Sequence, residues 1–353
     1  MRGIDLFSGG GCGSAGARHA GLTMVAAADA WDIAAKTYQD NFKEAEVVTA
    51  RLTDRSGPEI FNRLGKIDML IASPECTHHS IARGNKPVDE ESRRSGWYVM
   101  NFIRKLDPRW IVLENVTPMR HWPGFDDLIA ELKKTYKIRI EPLDAADFGT
   151  PQNRRRLFIV GDKLATPSLA KPILRTERDA LSILDRAGTY AAEPVYNGRR
   201  AASTIERVER GIAELGRKKD FLIVYYGSDR AGGWQRLDRP LRTLTTLDRF
   251  GLVQWIDGEP TLRMLQVPEL KRAMGLTHLK DHRGEGVKFE LENGTRRDKI
   301  KVLGNGVCAP VMRAVVGSLI GGSGSDLLEE DLLPRISKKT ASRCGSKKKP
   351  VRH

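Results

Sequence analysis

The chain has 353 residues, of which 40% are hydrophobic, 7% aromatic and 29% charged, and its formal net charge is +14. This length suits one large domain plus a smaller one, the 34 glycines show no collagen-like period, and no apolar run approaches the ~18 residues of a membrane span. The cysteines (Cys12, Cys76, Cys308 and Cys344) lie far apart without a CxxC pair, against a disulfide framework or zinc ribbon, and MRGIDLFSGG has no signal-peptide layout, so a reducing, cytoplasmic setting is expected.

From Arg2 to Asp162 short apolar runs alternate with longer amphipathic ones. GIDLF and a glycine loop lead to TMVAAA, WDIAAKTYQDNF, EVVTA, IDMLIA, WYVMNFIRKL, WIVLENV and LFIVG. Strand and helix in alternation predict a doubly wound α/β sheet, whose ligands sit beyond the carboxyl ends of the strands. Phe7–Gly11, Asp29, Ser73–Cys76 and Glu114–Asn115 end those runs and are the residues to read for chemistry. After Gly161 the periodicity weakens into Gly/Arg-rich turns around short strand candidates such as FLIVYYG, predicting a smaller, irregular second domain. An apolar helix is expected at about 309–320, and the Lys/Arg/Ser tail ending KKKPVRH has a disordered composition. Residues 1–162 are nearly balanced in charge, so the positive excess lies after them; a polyanion held by one region while another does chemistry fits that asymmetry.

Gly11-Cys12-Gly13-Ser14-Ala15-Gly16 matches GxGxxG between a strand and a helix, a context in which backbone can approach a nucleotide; a tight structural turn is the plain alternative. The surrounding Asp5-Leu6-Phe7-Ser8-Gly9-Gly10-Gly11 resembles the S-adenosylmethionine loop of the C5-cytosine-specific DNA methyltransferases. The rest of that family's ordered motifs follow. Ser73-Pro74-Glu75-Cys76 is similar to the nucleophile loop, Glu114-Asn115-Val116 to the Glu-Asn-Val motif, and Gln152-Asn153-Arg154-Arg155-Arg156 to Gln-x-Arg-x-Arg. Arg239–Thr246 is similar to the segment after the target-recognition region, and Gly304-Asn305-Gly306-Val307 to the closing motif.

The resemblance implies a Rossmann-like methyltransferase fold and S-adenosylmethionine as methyl donor. Cytosine C5 is a weak nucleophile, so a thiolate must first add to C6, and Cys76 is the candidate. Glu114 is the candidate acid for N3, and Arg154 and Arg156, two apart on an expected strand and so on one face, would hold the base's carbonyl and phosphate. A base within a duplex must be flipped out, which makes the segment with Ser80, Arg83 and Gly84 a candidate lid. Phe7, Ser8, Gly9, Gly11, Asp29, Trp31, Asp54 and Asn305 are the expected cofactor residues; Ser80, Arg83, Gln152 and Thr245 are the expected DNA contacts. No metal is expected, because His78 and His79 have no further ligand at suitable spacing. Taken alone, Cys76 reads equally as a buried thiol, Glu114 as a solvated acid and the arginines as a surface patch; it is their company that gives each a role.

The chain departs from the pattern in several places. Glu75 and Thr77 replace the proline and glutamine that flank the nucleophile, and an acid beside a thiol disfavours the thiolate. Ala30 and Arg51 fall where acids for the ribose and adenine are expected, with Asp29 and Asp54 as the nearest replacements. The expected organisation is a catalytic domain at 1–162, a target-recognition domain at 163–300, a helix at 301–322 returning to the catalytic domain, and a basic tail at 323–353. The implied partner is double-stranded DNA, with the protein a prokaryotic or phage-encoded monomer and a cognate restriction endonuclease a candidate partner. The rivals are an RNA cytosine methyltransferase, a catalytically silent DNA-binding relative and a nicotinamide-dependent oxidoreductase; the last gives no role to Cys76, Glu114 and the arginines together.

Overall fold

Strand β1 (Arg2–Leu6) carries Ile4 and Leu6 fully out of solvent, and its neighbours β2 (Thr23–Asp29) and β4 (Met69–Ala72) are just as apolar, as parallel strands covered on both faces must be. They belong to a seven-stranded sheet of order β3-β2-β1-β4-β5-β7-β6, completed by β3 (Glu46–Thr49), β5 (Trp110–Asn115), β6 (Lys137–Asp144) and β7 (Arg155–Asp162). Pairing is parallel from β3 to β5, and β7 runs antiparallel between β5 and β6. The computed structural model describes residues 1–75, 94–168, 179–226, 232–276, 279–280 and 286–321.

Helices α1 (Cys12–His19), α2 (Asp32–Asn41), α3 (Ser95–Leu106) and α4 (Phe125–Lys133) cover the sheet, giving one apolar layer that includes Tyr38, Phe42 and Phe158 and another that includes Phe102, Leu128 and Ile159. The chain runs from β1 outward to β2 and β3, then returns to β4 on the other side of β1. That reversal opens a crevice between the carboxyl ends of β1 and β4, where a doubly wound sheet receives its ligand.

A second sheet, antiparallel and of order β10-β9-β11-β12-β8, is formed by β8 (Glu193–Pro194), β9 (Phe221–Val224), β10 (Trp234–Arg236), β11 (Phe250–Ile256) and β12 (Glu259–Met264). Helix α5 (Ala202–Leu215) lays Val208 onto it, beside Phe221 and Ile223. The region that looked irregular in sequence thus has its own sheet, although both sheets lie within one compact unit, Met1–Gly322. Helix α6 (Val267–Ala273) follows β12 and begins with a capping box between Gln266 and Glu269.

Helix α7 (Arg296–Asn305) and helix α8 (Ala309–Ile320) close the described chain, with α8 packed against α1. Together they are long and apolar enough to cross a membrane by composition. They are separate helices broken after Asn305, however, and Val302, Leu303, Met312 and Val316 are buried in the same core as α1. Core burial accounts for their apolarity.

Candidate active site

A cavity of about 460 Å³ occupies the crevice, lined by the loop after β1, the ends of β2, β4 and β5, and the segment joining α7 to α8. The β1 loop is shaped by backbone that L-residues resist. Phe7 and Gly9 have φ of 55° and 53°, and Gly11, the residue before α1, has φ of 84°. A Cβ at Gly11 would also stand 2.7 Å from the Phe42 ring, so glycine is required there both by conformation and by space. A non-glycine residue held at positive φ, as Phe7 is, marks a loop whose shape is imposed by its surroundings.

Asp29 ends β2 and holds that loop in place. Its Oδ2 accepts from the Gly9 N–H at 2.8 Å and its Oδ1 from the Trp31 N–H at 2.8 Å. Burial pushes its pKa up against these two hydrogen bonds. Trp31, half-buried at the start of α2, lines the cavity, and the Lys301 ammonium of α7 lies 4.1 Å from its ring centroid. Ser8 and the exposed Asn305 also line the cavity. Asp54 does not. The chain turns after β3, Thr53 and Ser56 bond across that turn, and Asp54 projects into solvent with its carbonyl accepting from Asn101 Nδ2 at 2.5 Å. The expectation for Asp54 is corrected: Arg51, two residues past the end of β3, lines the cavity in its place.

Glu114, near the end of β5, is 6% exposed, and its Oε1 lies 3.3 Å from Arg156 Nε. Desolvation raises its pKa and outweighs Arg156, Arg154 and a hydrogen bond with Ser73, all of which pull it down. Asn115 donates from Nδ2 to the Pro74 carbonyl at 3.2 Å and accepts the Val116 N–H at 2.8 Å, tying the loop before Cys76 to β5. Cys76, Ser80 and Arg83 lie outside the described residues. Asp5 is a further buried acid on the cavity wall, where it accepts from Ser14 Oγ at 2.5 Å and Ser14 in turn accepts from the Tyr38 hydroxyl at 2.9 Å. Burial pushes the Asp5 pKa up to about 7.

Arg154 and Gln152 are held by bonds within the protein. Arg154, the residue before β7, lines the cavity with Arg156 while Arg155 between them is exposed, and it donates from Nη1 to the Leu244 carbonyl at 2.7 Å and from Nη2 to the Gly304 carbonyl at 2.6 Å. It lines the cavity, but those two bonds fasten two stretches of backbone. Gln152 is wholly buried: Nε2 donates to the Ala273 carbonyl at 2.9 Å, and Oε1 accepts the Leu244 N–H at 2.8 Å. Its amide is spent inside the protein, which removes it from the expected DNA contacts. Thr245 is half-buried, and its carbonyl packs so closely on Gly304 that a Cβ there would come within 2.3 Å. Lys301 has no local signal in the sequence and was missed, whereas Asn115 was singled out at the end of its apolar run without a role, and its bond to the Pro74 carbonyl supplies one. Among the described residues no group of His, Cys, Asp or Glu is arranged to hold a metal.

Residues 1–321 match the C-5 cytosine-specific DNA methylase family. Among curated relatives, the type II methyltransferase M.XorII of Xanthomonas oryzae is 30% identical over 184 residues, covering 48% of this chain and 42% of that protein. M1.HgaI of Avibacterium volantium is 31% identical over 185 residues, covering 47% and 51%. The matched stretch thus spans about half the length of these relatives or less. Two solved structures share the fold. A putative DNA modification methyltransferase encoded within an Escherichia coli prophage has a TM-score of 0.62 at 18% identity, covering 91% of this chain and 99% of that one. Entamoeba histolytica EhMeth has a TM-score of 0.63 at 18% identity, covering 91% and 98%. A strand-end cavity bounded by a strained glycine loop, with the buried Glu114 on one wall and Ser73–Glu75 on another, is the setting in which the match over residues 1–321 arises, and the chain belongs to the C-5 cytosine-specific DNA methylase family.

Proposed function

We propose that the protein is a DNA (cytosine-5-)-methyltransferase acting on a flipped cytosine in duplex DNA, with Cys76 as nucleophile and S-adenosylmethionine as donor. The observation that carries this reading is the buried Glu114 carboxyl beside Arg156 at the edge of the strand-end cavity, next to the loop that leads to Cys76. Burial favours its protonated form, as an acid serving a ring nitrogen requires.

The residues around the cavity suit the donor. Phe7–Gly10 line the cavity although Gly11 does not, Trp31 offers an aromatic surface, and a cationic donor would favour the ionised forms of Asp5 and Asp29. When bound, the donor supplies an electrophilic methyl group on a sulfonium. The chain's own residues do the rest. The Cys76 thiolate forms a bond to C6 while Glu114 gives its proton to N3, leaving C5 enamine-like and able to take the methyl group. Loss of the C5 proton to a base, return of the N3 proton to Glu114 and expulsion of the thiolate complete the turnover. Arg156 orients Glu114 and faces the base's carbonyl. Arg154 acts through the backbone, fastening the segment of Leu244 to that of Gly304 and so fixing the far wall.

Residues 1–162 with the helix at 301–322 form the catalytic part in this proposal, and 163–300 the part that reads sequence. The separate antiparallel sheet supports that division. The proposed partner is duplex DNA, and the names of the relatives add a cognate restriction endonuclease as a candidate partner. The test is incubation with labelled S-adenosylmethionine and, separately, duplex DNA and transfer RNA. 5-Methylcytosine in DNA supports the reading, label confined to RNA replaces it with the RNA enzyme, and label in neither leaves a silent DNA-binding relative.

A further inference from the structure

Asp5 lines the cavity, and no step of the reaction as derived uses it. Ile4 and Leu6, its neighbours on β1, enter one apolar layer, so alternation along the strand turns Asp5 into the other, beneath α1 and α2. It is 3% exposed there, and Ser14 and Tyr38 beside it are wholly buried. The three form a chain of fixed direction. The Tyr38 hydroxyl donates to Ser14 Oγ at 2.9 Å, and Ser14 donates in turn to Asp5 Oδ2 at 2.5 Å. Because Oδ2 accepts, a proton on this carboxyl belongs on Oδ1, which has no hydrogen-bond partner among the described residues. A buried acid on a cavity wall is thus left with one oxygen for a ligand.

A carboxylate withdrawn from water costs free energy unless a cation or enough donors compensate it. Burial pushes the Asp5 pKa up to about 7, the charges of Asp29 and Glu114 add to the rise, and the Ser14 bond opposes it. At neutral pH the carboxyl of the free protein is therefore close to half ionised. S-adenosylmethionine and S-adenosylhomocysteine share an ammonium and a carboxylate and differ by one methyl group and one positive charge, on sulfur. Within a cavity of about 460 Å³ that charge acts on a poorly screened carboxylate. We propose that Asp5 is the residue by which the cavity tells donor from product: it releases a proton to solvent when the sulfonium enters and takes one up when methyl transfer leaves the neutral thioether. This rests on the reading of S-adenosylmethionine as the donor.

Other groups face Asp5. Tyr38 on α2 and Cys12 on α1 are pushed up by burial, Cys12 to about 12, and so stay neutral where Asp5 titrates. Asp29 on β2 and Glu114 on β5 are raised as well, which makes them the alternative sources of a proton. Glu75 adds a further acid to the wall, and Arg51, Arg154, Arg156 and Lys301 supply its cations. Cys76, His78, His79 and Arg83 lie outside the described residues.

The measurement is titration calorimetry of the full-length protein with each compound from pH 6 to 8, in buffers of different ionisation enthalpy, which counts the protons released. S-adenosylmethionine should bind about tenfold more tightly at pH 8 than at pH 6 and release about half a proton at pH 7. S-adenosylhomocysteine should change by less than about twofold. Asp5→Asn should abolish the pH dependence of the donor. Ser14→Ala keeps the carboxyl but removes the bond that favours its ionised form, and should move the midpoint to higher pH. Should Asp5→Asn fail to fold, the comparison of the two compounds and the Ser14→Ala midpoint decide without it. Equal pH dependence for the two compounds, or a dependence that survives in Asp5→Asn, overturns the proposal and leaves the donor reading standing. Binding of neither compound at any pH rejects the donor reading, and the proposal with it.

Discussion

Arg156 and Glu114 form an ion pair at 3.3 Å with side chains only 16% and 8% exposed, yet the glutamate's pKa is still raised, because its desolvation outweighs the cation beside it. Removing one partner of such a pair should cost more than removing both charges, since the remaining charge is left buried. Arg156→Leu should therefore lower catalysis and stability together. Glu114→Gln should keep DNA binding and lose most turnover, because an amide cannot supply the N3 proton. Single-turnover rates with equilibrium DNA binding check this; a Glu114→Gln protein with near-normal rate would remove the glutamate from the chemistry.

Asp5 gives a pH dependence of stability with a definite sign. Its pKa is about 7 in the folded protein, above that of the unfolded chain, so folding binds a proton between those values. Its contribution is fully present below the unfolded pKa and is lost as pH rises through about 7. The loss amounts to as much as ~4 kcal/mol. Asp5→Asn, which keeps an oxygen to accept from Ser14, should flatten the fall in stability between mildly acidic and neutral pH. Urea unfolding across that range measures it, and an unchanged slope in the variant would remove Asp5 as its source.

The cavity wall assigns different consequences to three residues. Asp29→Ala should weaken donor binding roughly tenfold, through loss of the two backbone bonds that shape the glycine loop. Asp54→Ala, exposed and away from the cavity, should leave the dissociation constant unchanged. Arg51→Met should change it little, because the guanidinium is mostly in solvent. Titration calorimetry with S-adenosylmethionine and S-adenosylhomocysteine distinguishes these outcomes. A large effect at Asp54 would contradict the assignment.

Gln152→Ala should act on folding and leave the target sequence alone. It deletes bonds to Ala273 and Leu244 inside the protein and leaves buried groups unpaired, at a cost of about 1–3 kcal/mol. Thermal unfolding and sequencing of methylated sites test it together; an altered site preference at unchanged stability would return Gln152 to the DNA interface.

Strands β1 to β5 and β7 were legible because they are short apolar runs separated by amphipathic segments and ended by residues that line the cavity; β6, whose KIRIEPLD alternates polar and apolar residues, was not singled out. Glu114 and the Phe7–Gly11 loop were legible for the same reason. The second sheet was legible only in part: FLIVYYG marks β9, but β8 and β10 are two and three residues long, and the β11–β12 hairpin around Asp257-Gly258 was not singled out. The motif around Gln152 and Arg154 revealed which residues matter but not what they bind: Arg154 and Arg156 both line the cavity, yet Arg154 donates to the Leu244 and Gly304 carbonyls and Gln152 is wholly buried. Arg51 rather than Asp54 reaches the cavity because of a turn that spacing alone leaves open, and Lys301 meets Trp31 through tertiary packing.

The claim that Cys76 attacks cytosine C6 is tested most directly by incubating the protein and its donor with duplex DNA in which cytosine is replaced by 5-fluorocytosine. Fluorine cannot leave C5 as a proton does, so the account predicts a protein–DNA adduct that survives denaturation, maps to the Cys76 peptide and is absent from Cys76→Ser. An adduct that persists in Cys76→Ser, or no adduct on DNA whose unsubstituted form the protein methylates, would contradict it.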